Sequence, residues 1–110
     1  MVLATVYSAD GLTDQGRQFA SKYEEKFGAP PDLAAAQGYD GARLLLDALR
    51  RANTTAAPRA REELAATKGF ETVTGPLSFR KDRSAKRRLF LVEVKDGRAT
   101  LLATREPEGE

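Results

Sequence analysis

Histidine and cysteine are both absent from the 110 residues, so any catalysis would rest on carboxylates, lysine, tyrosine or serine. That composition removes thiol nucleophiles, Cys/His zinc sites, disulfides and the usual imidazole base. Two adjacent carboxylate pairs stand out, Glu24-Glu25 and Glu62-Glu63. On a helix, neighbouring residues point about 100° apart, so neither pair can share a proton as an acid/base dyad must. Both read as solvated. No Gly-rich phosphate loop and no Gly-x-Ser-x-Gly occurs. The sequence therefore predicts no enzyme, no catalytic residue, no metal site and no cofactor.

The strongest local charge feature is Arg80-Lys81-Asp82-Arg83-Ser84-Ala85-Lys86-Arg87-Arg88, with six basic side chains in nine residues. It reads as a solvated hairpin loop. The competing reading is an electrostatic footprint for phosphate groups, which would weaken steeply with salt. Aromatics are sparse around it, and no nucleic-acid motif accompanies it. Residues 58–110 hold 12 basic and 9 acidic side chains, and residues 1–57 hold 6 and 7. An imbalance this small does not imply a nucleic-acid partner.

The elements that must position these groups follow from periodicity. With 41% apolar and 31% charged residues, the chain has a globular profile. Val2–Tyr7 reads as a strand. Thr13 or Asp14 caps a helix running to about Phe27, ended by Gly28 and by Pro30-Pro31. Phe19, Tyr23 and Phe27 form an aromatic stripe on it, which predicts core. Asp32 caps a second helix over 33–52, the strongest helical signal in the chain. Gly38 and Gly41 cost that helix roughly 1 kcal/mol each against Ala, which suits a face that another backbone approaches. A third helix is expected over 57–67, with Pro58 in its first turn and Gly69 after it. Alternation over 73–79 and the apolar run 89–94 predict strands. Asp96-Gly97 is a hairpin signal, with 99–104 as the return strand.

In order, the landmarks are Phe19-x3-Tyr23-x3-Phe27-Gly28-x-Pro30-Pro31, Gly38-Tyr39-Asp40-Gly41-Ala42, Phe70-x2-Val73-Thr74-Gly75-Pro76-Leu77-Ser78-Phe79 and Val92-x-Val94-Lys95-Asp96-Gly97. Over residues 2–103 this resembles the C-terminal part of the leucine/isoleucine/valine-binding protein family. These are the type 1 periplasmic binding proteins that serve ABC importers. The resemblance implies an α/β fold, with helices packed on a small sheet plus a C-terminal β-hairpin, forming a partial lobe. It implies one partial domain over 1–104: a lobe segment 2–72, an inter-lobe crossing 73–79 and a terminal hairpin 88–103. Residues 105–110 read as a frayed acidic tail. The loop after Phe79 departs from the family, which usually has a short Asp/Gly-rich turn there.

The resemblance also supplies the site. The start of the second helix would lie near the cleft, which makes Gln37 and Tyr39 the ligand-binding candidates. The competing reading puts Tyr39 in the core with its hydroxyl bonded at the rim, and pairs Asp40 with Arg43. Gly75 and Pro76 would form a hinge, and the competing reading is an edge strand or bulge. The implied function is non-catalytic capture of a branched-chain amino acid or related amide-like solute by closure of two lobes. The implied partners are that ligand, the remainder of the binding protein and an ABC permease, in the periplasm or cell envelope. Met1–Thr5 has neither the basic nor the apolar region of a signal peptide, so no export signal is expected in the chain as given. Two alternatives from other classes stand beside this reading. One is a self-associating module, for instance a homodimer. The other is weak nucleic-acid binding through 80–88.

Overall fold

Both long helices start where a short polar side chain closes the first turn. The computed structural model describes residues 1–108, so Gly109 and Glu110 of the expected acidic tail lie outside the described residues. Thr13 Oγ1 accepts from Gly16 N at 3.0 Å and opens α1 (Asp14–Phe27). Gly28, at φ 81°, ends it by donating its N–H to Glu24 O at 2.8 Å. Asp32 Oδ1 accepts from Ala35 N at 2.8 Å and opens α2 (Leu33–Ala52). Such a cap is worth about 1 kcal/mol. α3 (Ala57–Ala65) has Pro in its first turn and no side-chain cap. It stops short of the expected Thr67, whose N–H bonds Leu64 O at 3.1 Å while its hydroxyl donates to Glu63 O at 3.2 Å. Arg51 ties α2 to α3 by donating to the Glu63 carboxylate at 3.0 Å and to Glu63 O at 2.9 Å.

Among the described residues six strands follow two separate pairings. They are β1 (Val2–Thr5), β2 (Phe70–Thr72), β3 (Gly75–Phe79), β4 (Ala85–Arg87), β5 (Leu89–Lys95) and β6 (Arg98–Arg105). Each sheet has three antiparallel strands, in the orders β1-β5-β6 and β2-β3-β4. The result is the mixed α/β fold that the sequence predicts. The strand expected over 73–79 is corrected: Val73 and Thr74 are a turn between β2 and β3. Thr72 Oγ1 makes that turn by donating to Gly75 O at 2.7 Å and accepting from Thr74 N at 3.3 Å. The β5–β6 hairpin turns at Asp96 and Gly97, with φ 53° and 75°, as the dipeptide predicts.

Among the described residues buried apolar side chains are few: Ala36, Ala48, Val73, Leu77, Phe90 and Val92. Phe90, 1% exposed, packs under a short 3-10 turn at Ala9–Gly11. A Cβ on Gly11 would meet Phe90 Cε1 at 2.4 Å. The aromatic stripe of α1 is only partly core: Phe19 and Tyr23 are half-buried and Phe27 is 61% exposed. Phe19 stacks on Tyr39 of α2, with ring centroids 4.1 Å apart. Tyr23 and Phe27 meet along the stripe, with centroids 4.7 Å apart, and Lys26 Nζ lies 5.5 Å from the Phe27 ring centroid. On α2, a Cβ at Gly38 or Gly41 would meet nothing within 4 Å, and Leu45 and Leu46 are 46% and 66% exposed. No helix among the described residues is long and apolar enough to cross a membrane.

Candidate ligand wall and hinge

The Val73-Thr74-Gly75 turn is buried and collects bonds from almost every part of the chain. Val73 N donates to the Asp40 carboxylate of α2 at 3.2 and 3.4 Å. Val73 O accepts from Thr13 N at 3.0 Å and from Thr13 Oγ1 at 3.3 Å. Thr74 Oγ1 donates to Val6 O at 3.3 Å, and Thr74 O accepts from Arg88 Nη1 at 3.3 Å. One turn therefore joins the start of α1, the middle of α2, the segment after β1 and the residue just before β5. Gly16 makes the closest approach possible, since a Cβ there would lie 2.1 Å from Val73 O. Sequence reading does not single out Gly16, and no local pattern marks it.

Asp40 is 7% exposed and lies 3.7 Å from Arg43, so the expected pair forms, but its direct hydrogen bond is to Val73 N. Burial raises its pKa, while the Val73 N–H, Arg87 and Arg43 pull the other way. Arg87 stands opposite the buried Leu77 in the β3–β4 register, so the two share a face. Burial holds its guanidinium below the ordinary range, and Asp40 counteracts this. Among the described residues Arg87 Nε is buried without a hydrogen-bond partner. These facts correct the reading of 80–88 as a solvated loop. Lys81–Ser84 is an exposed turn, but Ala85–Arg87 is a strand and Arg87 and Arg88 are half-buried.

Gln37 and Tyr39, two positions apart, project from opposite sides of α2. Gln37 is exposed and borders a groove of about 220 Å³ with Asp40, Leu44, Phe70, Leu77 and Arg87. Tyr39 packs against Phe19, and the Arg43 guanidinium lies 5.4 Å from its ring centroid. Gln37 is thus brought together with Asp40 and Arg87, whereas Tyr39 faces Phe19 and Arg43. The groove offers an amide, a carboxylate, a guanidinium and an apolar side. That set suits one flank of a small charged solute with an apolar body. Its volume falls below the roughly 300–1,000 Å³ of pockets that enclose such ligands. No group of three or more carboxylates among the described residues could hold a metal ion.

At the other candidate pair, Gly75 has φ 123° in a buried position, where a side chain would be strained and would meet Arg88 Nη1 at 3.2 Å. Pro76 pairs with Glu71 of β2, while β4 pairs only with Leu77–Phe79. Pro76 therefore extends past the end of β4, where its missing N–H leaves that pairing intact. Tyr7, just after β1, donates its hydroxyl to Pro31 O at 3.3 Å. Burial and Asp32 raise the pKa of that hydroxyl.

The sequence profile described as periplasmic binding protein matches residues 1–99. The chain belongs to this family. Its fold matches a leucine-binding protein from Thermotoga maritima at 27% identity and TM-score 0.87, over 97% of this chain and 31% of that one. It also matches a solute-binding protein of an ABC transporter from Rhodopseudomonas palustris, solved with 3,4-dihydroxybenzoic acid. That match has 27% identity and TM-score 0.81, over 96% of this chain and 31% of the other. A Rhodospirillum rubrum protein assigned to a branched-chain amino acid ABC transporter is 34% identical, with TM-score 0.72 over 92% of this chain and 30% of that one. The chain thus spans about a third of the length of these periplasmic binding proteins.

Proposed function

We propose that this chain supplies part of the ligand cleft of an ABC-importer solute-binding protein, and that it works without catalysis. In this reading Gln37 contributes to the wall, Tyr39 braces α2 from its other side through Phe19, and Gly75-Pro76 belongs to the hinge about which two lobes close. The solute is a small amino acid or a related compound, captured in the periplasm or cell envelope and passed to a permease. The observation that carries the reading is the fold match to a leucine-binding protein over 97% of this chain. The buried turn at Val73–Gly75 supports the hinge, because the segments after β1 and before β5 are both fastened to it. The uncovered Gly38/Gly41/Leu45 face of α2 supports a larger assembly in which other polypeptide packs there.

Binding needs two walls, and the groove at Gln37 offers one. Thermal unfolding of the purified chain with leucine, isoleucine, valine, amides and aromatic carboxylates tests this. A ligand specific to the folded state adds roughly 2.7 kcal/mol of stability at a hundred times its Kd. The expected result is a cooperative transition that none of the compounds shifts. Addition of the missing lobe, taken from a full-length relative, should restore a shift for one solute class. A shift with the chain alone would sink the one-wall reading. Self-association is the second reading, favoured by the same exposed face of α2.

A further inference from the structure

The last turn of α3 and the exposed turn at Lys81–Ser84 enclose a cleft of about 360 Å³. Leu64 and Phe79 form its floor, and Arg61, Lys68, Arg80, Lys81 and Arg83 line it as cations. It shares no lining residue with the groove at Gln37. We propose that this cleft is a docking surface for an acidic peptide segment of a partner protein, one that carries an apolar anchor side chain.

Charge accounting favours an anionic partner. Elsewhere many arginines are matched: Arg17 with Asp14, Arg43 with Asp40, Arg50 and Arg51 with Asp47, Arg59 with Glu62 and Glu63, and Arg88 with Glu106. Arg87, Arg98 and Arg105, which are scattered rather than gathered in one cleft, form no ion pair among the described residues. The five cleft cations form no ion pair among the described residues, and the Arg80 guanidinium donates only to the backbone carbonyls of Ala85 and Glu108. The nearby carboxylate of the turn, Asp82, is taken up by Ser84, which donates through N at 2.9 Å and Oγ at 2.6 Å. Like charges gathered over a low-dielectric floor repel one another, and an incoming anion relieves that repulsion.

The cations also sit on a shaped support. Arg80 N donates to Ser84 O at 2.9 Å, and Arg83 N donates to Arg80 O at 2.9 Å with Arg83 at φ 74°. A turn fixed in this way loses little freedom on binding. Polypeptide already lies at the rim, because Arg80 Nη2 donates to Glu108 O at 2.8 Å. The apolar floor separates a peptide from a nucleic acid. A phosphate backbone gains nothing from Leu64, and base stacking would want more than the single ring of Phe79.

Fluorescence anisotropy on the full chain tests the proposal. The probe is a labelled Asp/Glu-rich peptide with one central leucine, and its controls are the same peptide with serine for leucine and a DNA duplex. The acidic leucine peptide should bind tightest, and the serine peptide about tenfold more weakly. The pairs Lys81→Glu/Arg83→Glu and Arg61→Glu/Lys68→Glu, on opposite sides of the cleft, should each weaken binding about tenfold or more with unchanged circular dichroism. Three results would overturn the proposal: no peptide binding at low salt, DNA binding as tight as the peptide, or indifference to the leucine or to both charge reversals.

Discussion

Asp40 shows what a single side chain does in this fold. It lies in the middle of α2 and accepts the backbone N–H of Val73, which is 33 positions away in sequence. Replacing it with alanine leaves a buried N–H unpaired, and the expected loss is about 1–3 kcal/mol in urea unfolding. Its titration gives a second prediction. Because burial raises its pKa, the folded chain takes up this proton at a higher pH than the unfolded chain does. Its contribution to stability is therefore full below the ordinary carboxylate range and is lost as pH rises through the raised value. Asp82 and Glu106 behave oppositely, since Ser84 and Arg88 hold their pKa values down. Comparison with Asp40→Asn isolates the one group. As pH rises from the ordinary carboxylate range through the raised value, the wild type should lose stability relative to that variant. A gap that stays constant over this range would refute the assignment.

Glycines separate the elements that are packed from those left open. Alanine at Gly16 would drive a methyl group into Val73 O and part α1 from the β2–β3 turn. A loss of about 1–3 kcal/mol or more is expected. Alanine at Gly38 or Gly41 meets open space and should stabilise the isolated chain by about 0.8–1.0 kcal/mol each. Equal effects at Gly16 and Gly38 in thermal unfolding would contradict this contrast. Element ends were legible in the sequence wherever a local group sets them: Thr13, Gly28, Asp32 and Asp96-Gly97. The Val73-Thr74 turn was not, because β2 and β3 on either side continue the apolar alternation through it. Burial of the aromatic stripe was overestimated for a related reason. Spacing reports which side chains share a face, and it does not report whether anything covers that face. Gln37 was legible as a site candidate only through family resemblance, and the Asp40–Arg87 cluster beside it depends on strand register.

At the largest scale, the six buried apolar side chains among the described residues make a thin core for a chain of this length. The Cα trace extends 47 × 36 × 20 Å, and the turn between β2 and β3 of one sheet is bonded to the segments after β1 and before β5 of the other. The open face of α2 is then the natural contact for more polypeptide, supplied by another lobe or by a second copy. If copies associate through it, Leu45→Glu/Leu46→Glu should abolish concentration-dependent mass in light scattering and leave the helical signal unchanged. Association that survives both substitutions would move the contact elsewhere, for example to the free edge of β6.

The pairing of β1 with β5 sets a schedule for biosynthesis. Val2 lies opposite Glu93, and Val94 N donates to Met1 O at 2.8 Å. A ribosome adding about 5–20 residues per second leaves the first strand without its partner for on the order of 5–20 s. During that interval α1 and α2 can form from local bonds, while Val2, Leu3 and Ala4 wait with both edges open. On nascent chains halted before Leu89, protease should cut ahead of Thr5 and spare α2. Once β6 has emerged, the same site should close.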